Sequence, residues 1–194
     1  MLTYRLNGTT PDTAPDFALI NAGGIRATID EGPVTRGEVL TAFPFGNALV
    51  DVTTSGERLW AAFEGIIAGV NVDNGKAVTS FLQISRGLRI EYGPAATNNT
   101  TNVLVSVTIG GKPLDKAAQY KFVTLDFVAG GGDNFFSTPF ENLVLLDTLD
   151  EVVVRHVAAT SPVDIALDGR LNAVSRCEVG RAARMAKARR AMSA

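Results

Sequence analysis

Apolar residues along this chain follow two rhythms, and the changes between them mark its elements. Residues 17–20 form an unbroken apolar run that ends at Asn21-Ala22-Gly23-Gly24, which predicts a buried strand running into a glycine loop. Thr35-Arg36-Gly37-Glu38 has the spacing of a capping box and predicts a short helix through Val39 and Leu40. Ala42-Phe43-Pro44-Phe45-Gly46-Asn47 breaks that helix. Proline fixes φ and glycine frees it, so this loop holds its aromatic rings in a defined place. Residues 48–54 alternate through Leu49, Val50 and Val52 as a strand does. Ser55 can cap the next helix, residues 56–68. There Leu59, Phe63, Ile66, Ile67 and Val70 recur on one buried face, with Trp60 packing beside it.

The polar residues 71–80 read as a loop. Residues 81–84 and 88–92 read as strands around a turn at Arg86-Gly87. After a loop over 93–102, Val103, Val105, Val107 and Ile109 alternate strictly, and Gly110-Gly111 closes a hairpin turn. Residues 120–128 are rich in β-branched and aromatic types and predict a strand ending in Gly130-Gly131-Gly132-Asp133-Asn134. Thr148-Leu149-Asp150-Glu151 is a second candidate capping box, opening a helix with Leu149, Val152, Val153 and Val157 on one face. Helices and strands alternate irregularly and hairpins are present. The expected fold class is α+β, a complex mixed-sheet domain with packed helices, and not a doubly wound sheet.

Composition supports a folded domain: 46% of the 194 residues are hydrophobic and 20% are charged. No run approaches the roughly 18 apolar residues that cross a bilayer, and residues 1–10 contain no apolar signal core. The net charge of -2 does not point to a nucleic-acid partner. Charge is uneven, however, because Arg176, Arg181, Arg184, Lys187, Arg189 and Arg190 crowd the end of the chain against Glu178 alone. Such a tail reads first as a solvated helix or frayed end, and second as a contact for phosphate or acidic lipid. The single cysteine, Cys177, allows no internal disulfide. Sequons at Asn7, Asn98 and Asn99 permit glycosylation if the chain is secreted by a eukaryote.

One histidine, His156, and one cysteine cannot supply the usual ligands of a zinc or two-metal centre. No carboxylate cluster has a convincing spacing either, so no metal-binding and no catalytic residue is assigned. His156 reads as a surface or packing residue rather than a general base. No Gly-x-Ser-x-Gly elbow and no P-loop occur. The Gly130-Gly131-Gly132 run is not followed by a helix-forming sequence, so the dinucleotide reading fails there. What remains are loops that set polar groups beside aromatic rings. Asn21 can donate and accept at once, and Arg26 can grip phosphate in a fork. Phe45 and Phe127 can sandwich a flat base, although singly each phenylalanine is more often core. Asp133 can accept from a ribose diol.

In order and spacing, these segments resemble one family, the 5'-nucleotidases, in their C-terminal, substrate-binding domain. Asn21-Ala22-Gly23-Gly24-Ile25-Arg26 is similar to the family's Asn-x-Gly-Gly-Ile-Arg motif. Phe43-Pro44-Phe45-Gly46-Asn47 resembles its Pro-Phe-x-Asn loop, and the helix after Thr54 its Gly-x-x-Leu helix. Phe81-Leu82-Gln83-Ile84-Ser85, with Gly87-Leu88-Arg89, resembles its Phe-Leu-Gln stretch. Asp126-Phe127-Val128-Ala129-Gly130-Gly131-Gly132-Asp133-Asn134-Phe135 resembles its Gly-Gly-Asp loop, with Asn134 where the family usually has glycine. Asp168-Gly169-Arg170-Leu171 resembles its closing Gly-Arg-Ile/Leu.

The resemblance implies roles. Phe45 and Phe127 clamp the base, Asn21 reads its edge, Arg26 holds the phosphate side, Asp133 binds the ribose hydroxyls, and Gly23 and Gly24 line the site. It implies a nucleoside monophosphate or nucleoside as ligand. It also implies an N-terminal metallophosphatase domain carrying two divalent metals, whose motifs this sequence lacks, so no cofactor is expected in this chain itself. Met1-Leu2-Thr3-Tyr4-Arg5 looks like the tail of the helix that opens the C-terminal domain, with a second phosphate-side arginine missing before it. The expectation is therefore a fragment, a truncated gene model or a stand-alone copy. Residues 1–172 are expected to form the binding domain and 173–194 a basic tail. The implied function is nucleotide recognition within a phosphomonoester hydrolase, extracellular or secreted if the parent follows the family. The alternatives are a binding module without chemistry and a decayed domain.

Overall fold

A computed structural model describes residues 1–3, 14–95 and 100–192. Tyr4, Arg5 and the sequons at Asn7, Asn98 and Asn99 lie outside the described residues, as do the side chains of Lys187, Arg189 and Arg190. Among the described residues, nine strands form two sheets. The first runs β3-β1-β7-β2-β8, built from β1 (Phe17–Asn21), β2 (Ala48–Ser55), β3 (Leu82–Ile84), β7 (Gln119–Leu125) and β8 (Leu145–Thr148). The second runs β6-β5-β4-β9, built from β4 (Leu88–Pro94), β5 (Asn102–Ile109), β6 (Lys112–Pro113) and β9 (Leu171–Ala173). β1 pairs parallel to β7, and β4 parallel to β9; every other ladder is antiparallel.

The fold also contains the helices α1 (Arg36–Ala42), α2 (Gly56–Ala68), α3 (Asp126–Ala129), α4 (Leu149–Thr160) and α5 (Arg176–Met192). α2 packs on both β2 and β5 and so joins the two sheets. Its N-cap is Ser55, whose hydroxyl accepts from Arg58 N–H at 3.3 Å, and it stops at Gly69 in the left-handed region. Leu59, Phe63, Ile66 and Ile67 are buried as the periodicity predicts. Val70 is not; it lies past the cap and is exposed, because the left-handed Gly69 turns the chain off the helix axis. Phe63 meets Phe17, which stacks on Phe122 at 5.2 Å between centroids, so the core centres on the β1–β7 pair.

Two further boundaries differ from the sequence pattern. The strand predicted over 120–128 ends at Leu125, where its partner β2 runs out at Leu49. The chain then turns into α3, with Asp126 Oδ1 accepting from Phe127 N–H and the Asp126 carbonyl from Gly130 N–H. The capping box of α1 forms in full between Thr35 and Glu38, but that of α4 does not. Glu151 instead pairs with Arg36, which ties α1 to α4.

The sheets are also joined by Arg170, which opens β9. Its guanidinium donates to the Ile84 carbonyl on β3 at 3.0 Å and forks onto both oxygens of Asp168 at 2.7 Å. This pairing holds the Asp168 carboxyl at about 2, below its ordinary 3.8. The folded value is the lower one, so the stabilisation is present above about pH 4 and is lost as the pH falls towards 2. Asp168→Asn is expected to flatten the acid limb of stability in that window while leaving neutral-pH folding intact. Urea unfolding at a series of pH values between 2 and 5 measures it.

Candidate functional site

One edge of the five-stranded sheet collects the polar and aromatic loops. β1 and β7 are parallel, so Asn21 and Asp126 leave the sheet side by side. β2 and β3 run against these strands and enter from the same edge, bringing the loops that precede Ala48 and Leu82. β8 ends there as well, with Thr148 opposite Ala48, so α4 starts beside the loop of Phe45.

Asn21 is 5% exposed, and its Nδ2 donates to Asp133 Oδ2 at 2.7 Å. Its Oδ1 is buried with no hydrogen-bond partner. A short 3-10 turn over Ala22–Gly24 follows. A Cβ on Gly24 would stand 3.2 Å from that orphaned oxygen, so glycine keeps the space beside it open. Gly23 donates to Ser80 Oγ at 2.8 Å, and its carbonyl accepts from the Arg26 guanidinium at 3.2 Å.

Arg26 N–H donates to the Ala42 carbonyl, pinning it against the end of α1. Its guanidinium is exposed and lies 5.9 Å from the centroid of the Phe45 ring. Phe45 is 58% exposed on the loop between α1 and β2. Beside it is a shallow depression open to solvent, enclosing only about 10 Å³, lined by Gly24, Phe45, Asn47, Leu125, Leu149 and Asp150, among others.

Phe127 is 44% exposed on α3. Its ring lies over Gly132, where a Cβ would come within 2.4 Å of the ring edge. Asp133 and Asn134 both adopt φ of 56°, a region that Asn and Asp tolerate better than most residues. Thr79 Oγ1 donates to Asp133 Oδ1 at 2.7 Å, so each carboxylate oxygen already accepts one bond and keeps a further lone pair. Asn134 donates to the Ala77 carbonyl and accepts on its own carbonyl from Asn71.

The fold thus joins Asn21 to Asp133, Arg26 to Phe45 and Gly23, and Phe127 to Gly132. Among the described residues the ring–ring contacts lie in and around the core, and none joins Phe45 to Phe127. In the sequence Asn71, Thr79 and Ser80 show only as a polar run before β3, because their partners lie more than 50 positions away. His156 is exposed on α4 and Cys177 exposed on α5. Among the described residues no three His, Cys, Asp or Glu side chains gather as a cation cage, and no helix is long and apolar enough to cross a membrane.

A family model described as "5'-nucleotidase, C-terminal domain" matches residues 6–139, more than half of the chain. The chain belongs to the 5'-nucleotidase C-terminal domain family. Protein UshA of Yersinia enterocolitica is 33% identical over 153 residues, covering 77% of this chain and 25% of that protein. The 5'-nucleotidase of Vibrio parahaemolyticus is 34% identical over 154 residues, with the same coverage of 77% and 25%. Among solved structures, a 5'-nucleotidase precursor from Thermus thermophilus aligns with a TM-score of 0.71 at 29% identity, covering 89% of this chain and 33% of that one. The NAD nucleotidase of Haemophilus influenzae aligns at 0.66 and 25% identity, covering 83% and 30%. The chain therefore spans about a quarter of the length of the curated relatives it matches.

The mixed sheets and packed helices of this 5'-nucleotidase C-terminal domain match the fold of those neighbours. Within it, Gly132 sets where the Phe127 ring rests. Gly132→Ala is expected to push the half-exposed ring off its place with little change in melting temperature, since a surface ring can swing where backbone cannot. A crystal structure of the variant, with a thermal melt alongside, checks both halves.

Proposed function

We propose that this domain holds the nucleoside part of a nucleotide, with the base between Phe45 and Phe127. The observation that carries this reading is two exposed phenylalanine rings on segments that leave or enter the same end of the sheet as the Asn21–Asp133 pair, in which the buried Asn21 Oδ1 has no protein partner. Exposed aromatic faces beside glycine loops stack flat heterocycles. The Asn21 Oδ1 can accept from a ligand N–H or O–H, Asp133 retains acceptor capacity for a ribose diol, and the exposed Arg26 offers its guanidinium to phosphate.

In this reading the domain is the recognition half of a phosphomonoester hydrolase. One imidazole and one thiolate do not fit the usual ligand set of a two-metal centre, and among the described residues no carboxylates gather to replace it. Such a centre, in a further domain, would supply activated water. The part of this chain is to bind and orient the substrate, which makes the attack effectively intramolecular. The longer relatives support that division, because this chain covers only a quarter of them. A module that binds nucleosides without chemistry would use the same pocket.

Calorimetric titration with AMP and adenosine is expected to show binding that falls about tenfold or more in each of Phe45→Ala and Phe127→Ala, as loss of a stacking face predicts. Unchanged affinity in both variants refutes the sandwich. The chain alone is expected to release no phosphate from AMP when divalent metal is added. Turnover by a clean preparation that Arg26→Ala abolishes would show chemistry in this chain and overturn the division of labour.

A further inference from the structure

The polar loop ahead of β3 touches both halves of the candidate site through its last two residues. Ser80 Oγ accepts from Gly23 N–H at 2.8 Å. Thr79 reaches Asp133, 54 positions further on, at two levels. Its backbone N–H donates to the Asp133 carbonyl at 3.3 Å, and its Oγ1 donates to Asp133 Oδ1 at 2.7 Å. Thr79 is exposed. A hydroxyl there would find water as readily, so burial does not demand the side-chain bond.

The terminal torsion of an aspartate is broad and two-fold, so a single hydrogen bond sets the plane of the carboxylate only loosely. Here Asn21 Nδ2 donates to Oδ2 at 2.7 Å and Thr79 Oγ1 to Oδ1 at 2.7 Å, one bond on each oxygen. The plane is held from both sides, and each ionised oxygen still has a lone pair to offer. Two acceptors fixed side by side match two adjacent hydroxyls. Resting on the nucleoside reading above, we propose that Thr79 is a positioning residue: by holding Asp133 Oδ1 it lets the carboxylate accept from both hydroxyls of a ribose diol at once. The site then selects ribonucleosides over nucleosides that lack the diol. Asn21 cannot set this alone, because its bond lies on the other oxygen.

Calorimetric titration of the full chain with adenosine and with dideoxyadenosine, which lacks both hydroxyls of the diol, tests this. The wild type is expected to bind adenosine about tenfold or more tightly, the range of hydrogen bonds to a charged group. Thr79→Val removes the hydroxyl and keeps the shape and the backbone donor. Its preference is expected to fall about fivefold, the worth of one hydrogen bond, through weaker binding of adenosine alone. Thr79→Ser returns the hydroxyl and is expected to return the preference. Thr79→Ala replaces the valine variant where the branched side chain disturbs the loop. A residue that only braced the loop would weaken both ligands alike and leave the ratio in place, and that result overturns the proposal. Asp133→Asn keeps a residue type that tolerates the φ of 56° found there. If Asp133→Asn loses the preference while Thr79→Val and Thr79→Ala keep it, Thr79 has no such role and the nucleoside reading stands. Equal binding of the two ligands by the wild type refutes the inference and leaves the base sandwich to its own test. Failure of the wild type to bind either nucleoside removes the nucleoside reading and this inference with it.

Discussion

The parallel pairing of β1 with β7 is the constraint from which the arrangement of this domain follows. Phe17 faces Phe122 across it and Phe63 of α2 packs on the pair, so the strands cannot slip without opening the core. Parallel strands end at the same edge. Two segments more than 100 residues apart in sequence are thereby delivered to one place, where Asn21 reaches Asp133. The antiparallel neighbours then have no choice but to begin at that edge, and with them come the Phe45 loop and the Thr79-Ser80 pair.

What is built there is rigid where it is polar and open where it is aromatic. Asp133 is held by Asn21 and Thr79 in a backbone conformation that few residues accept, and Asn134 is tied on both its side chain and its carbonyl. Behind this loop Arg58 lies 3.9 Å from the centroid of Phe140 and also faces Phe136, and burial lowers its pKa. The Phe45 and Phe127 rings, in contrast, stand out from the surface. The proposed base sandwich rests on this contrast of held acceptors and exposed rings at one end of the sheet, since preorganisation favours binding of a flat, hydrogen-bonding ligand. The unsatisfied Asn21 Oδ1 fits the same picture, since a buried acceptor left unpaired costs about 1–3 kcal/mol until something donates to it.

The second sheet acts through attachment. It carries no residue of the candidate site, yet Arg170 reaches from β9 to β3, and α2 is packed between both sheets. α5 closes the far side, where Val179 is buried and Gly93 leaves room for the backbone at Val174. The site edge is thus backed by a continuous core rather than by the five-stranded sheet alone.

Several elements were legible in the chain because their signals are local. The capping box of α1, the Ser55 cap and Gly69 stop of α2, and the alternation into Gly110-Gly111 depend on neighbours a few positions apart. The ordered motifs identified the family and its fold for a similar reason: they are short and retain their residues. Where the signal was not local, sequence alone misjudged the detail. Nothing in residues 120–128 says that β7 stops at Leu125, because the stop is set by the end of β2. Thr148 and Glu151 have capping spacing, but Glu151 meets Arg36 first. Ten phenylalanines are alike as letters, and four are among the largest fully buried side chains while Phe45 and Phe127 are exposed. Local elements, family and the residue types offered for chemistry can be read from the order of residues. Which rings face solvent, which acceptor is left without a donor and which side chains line the depression beside Phe45 cannot, because burial and long-range pairing depend on segments that meet after folding.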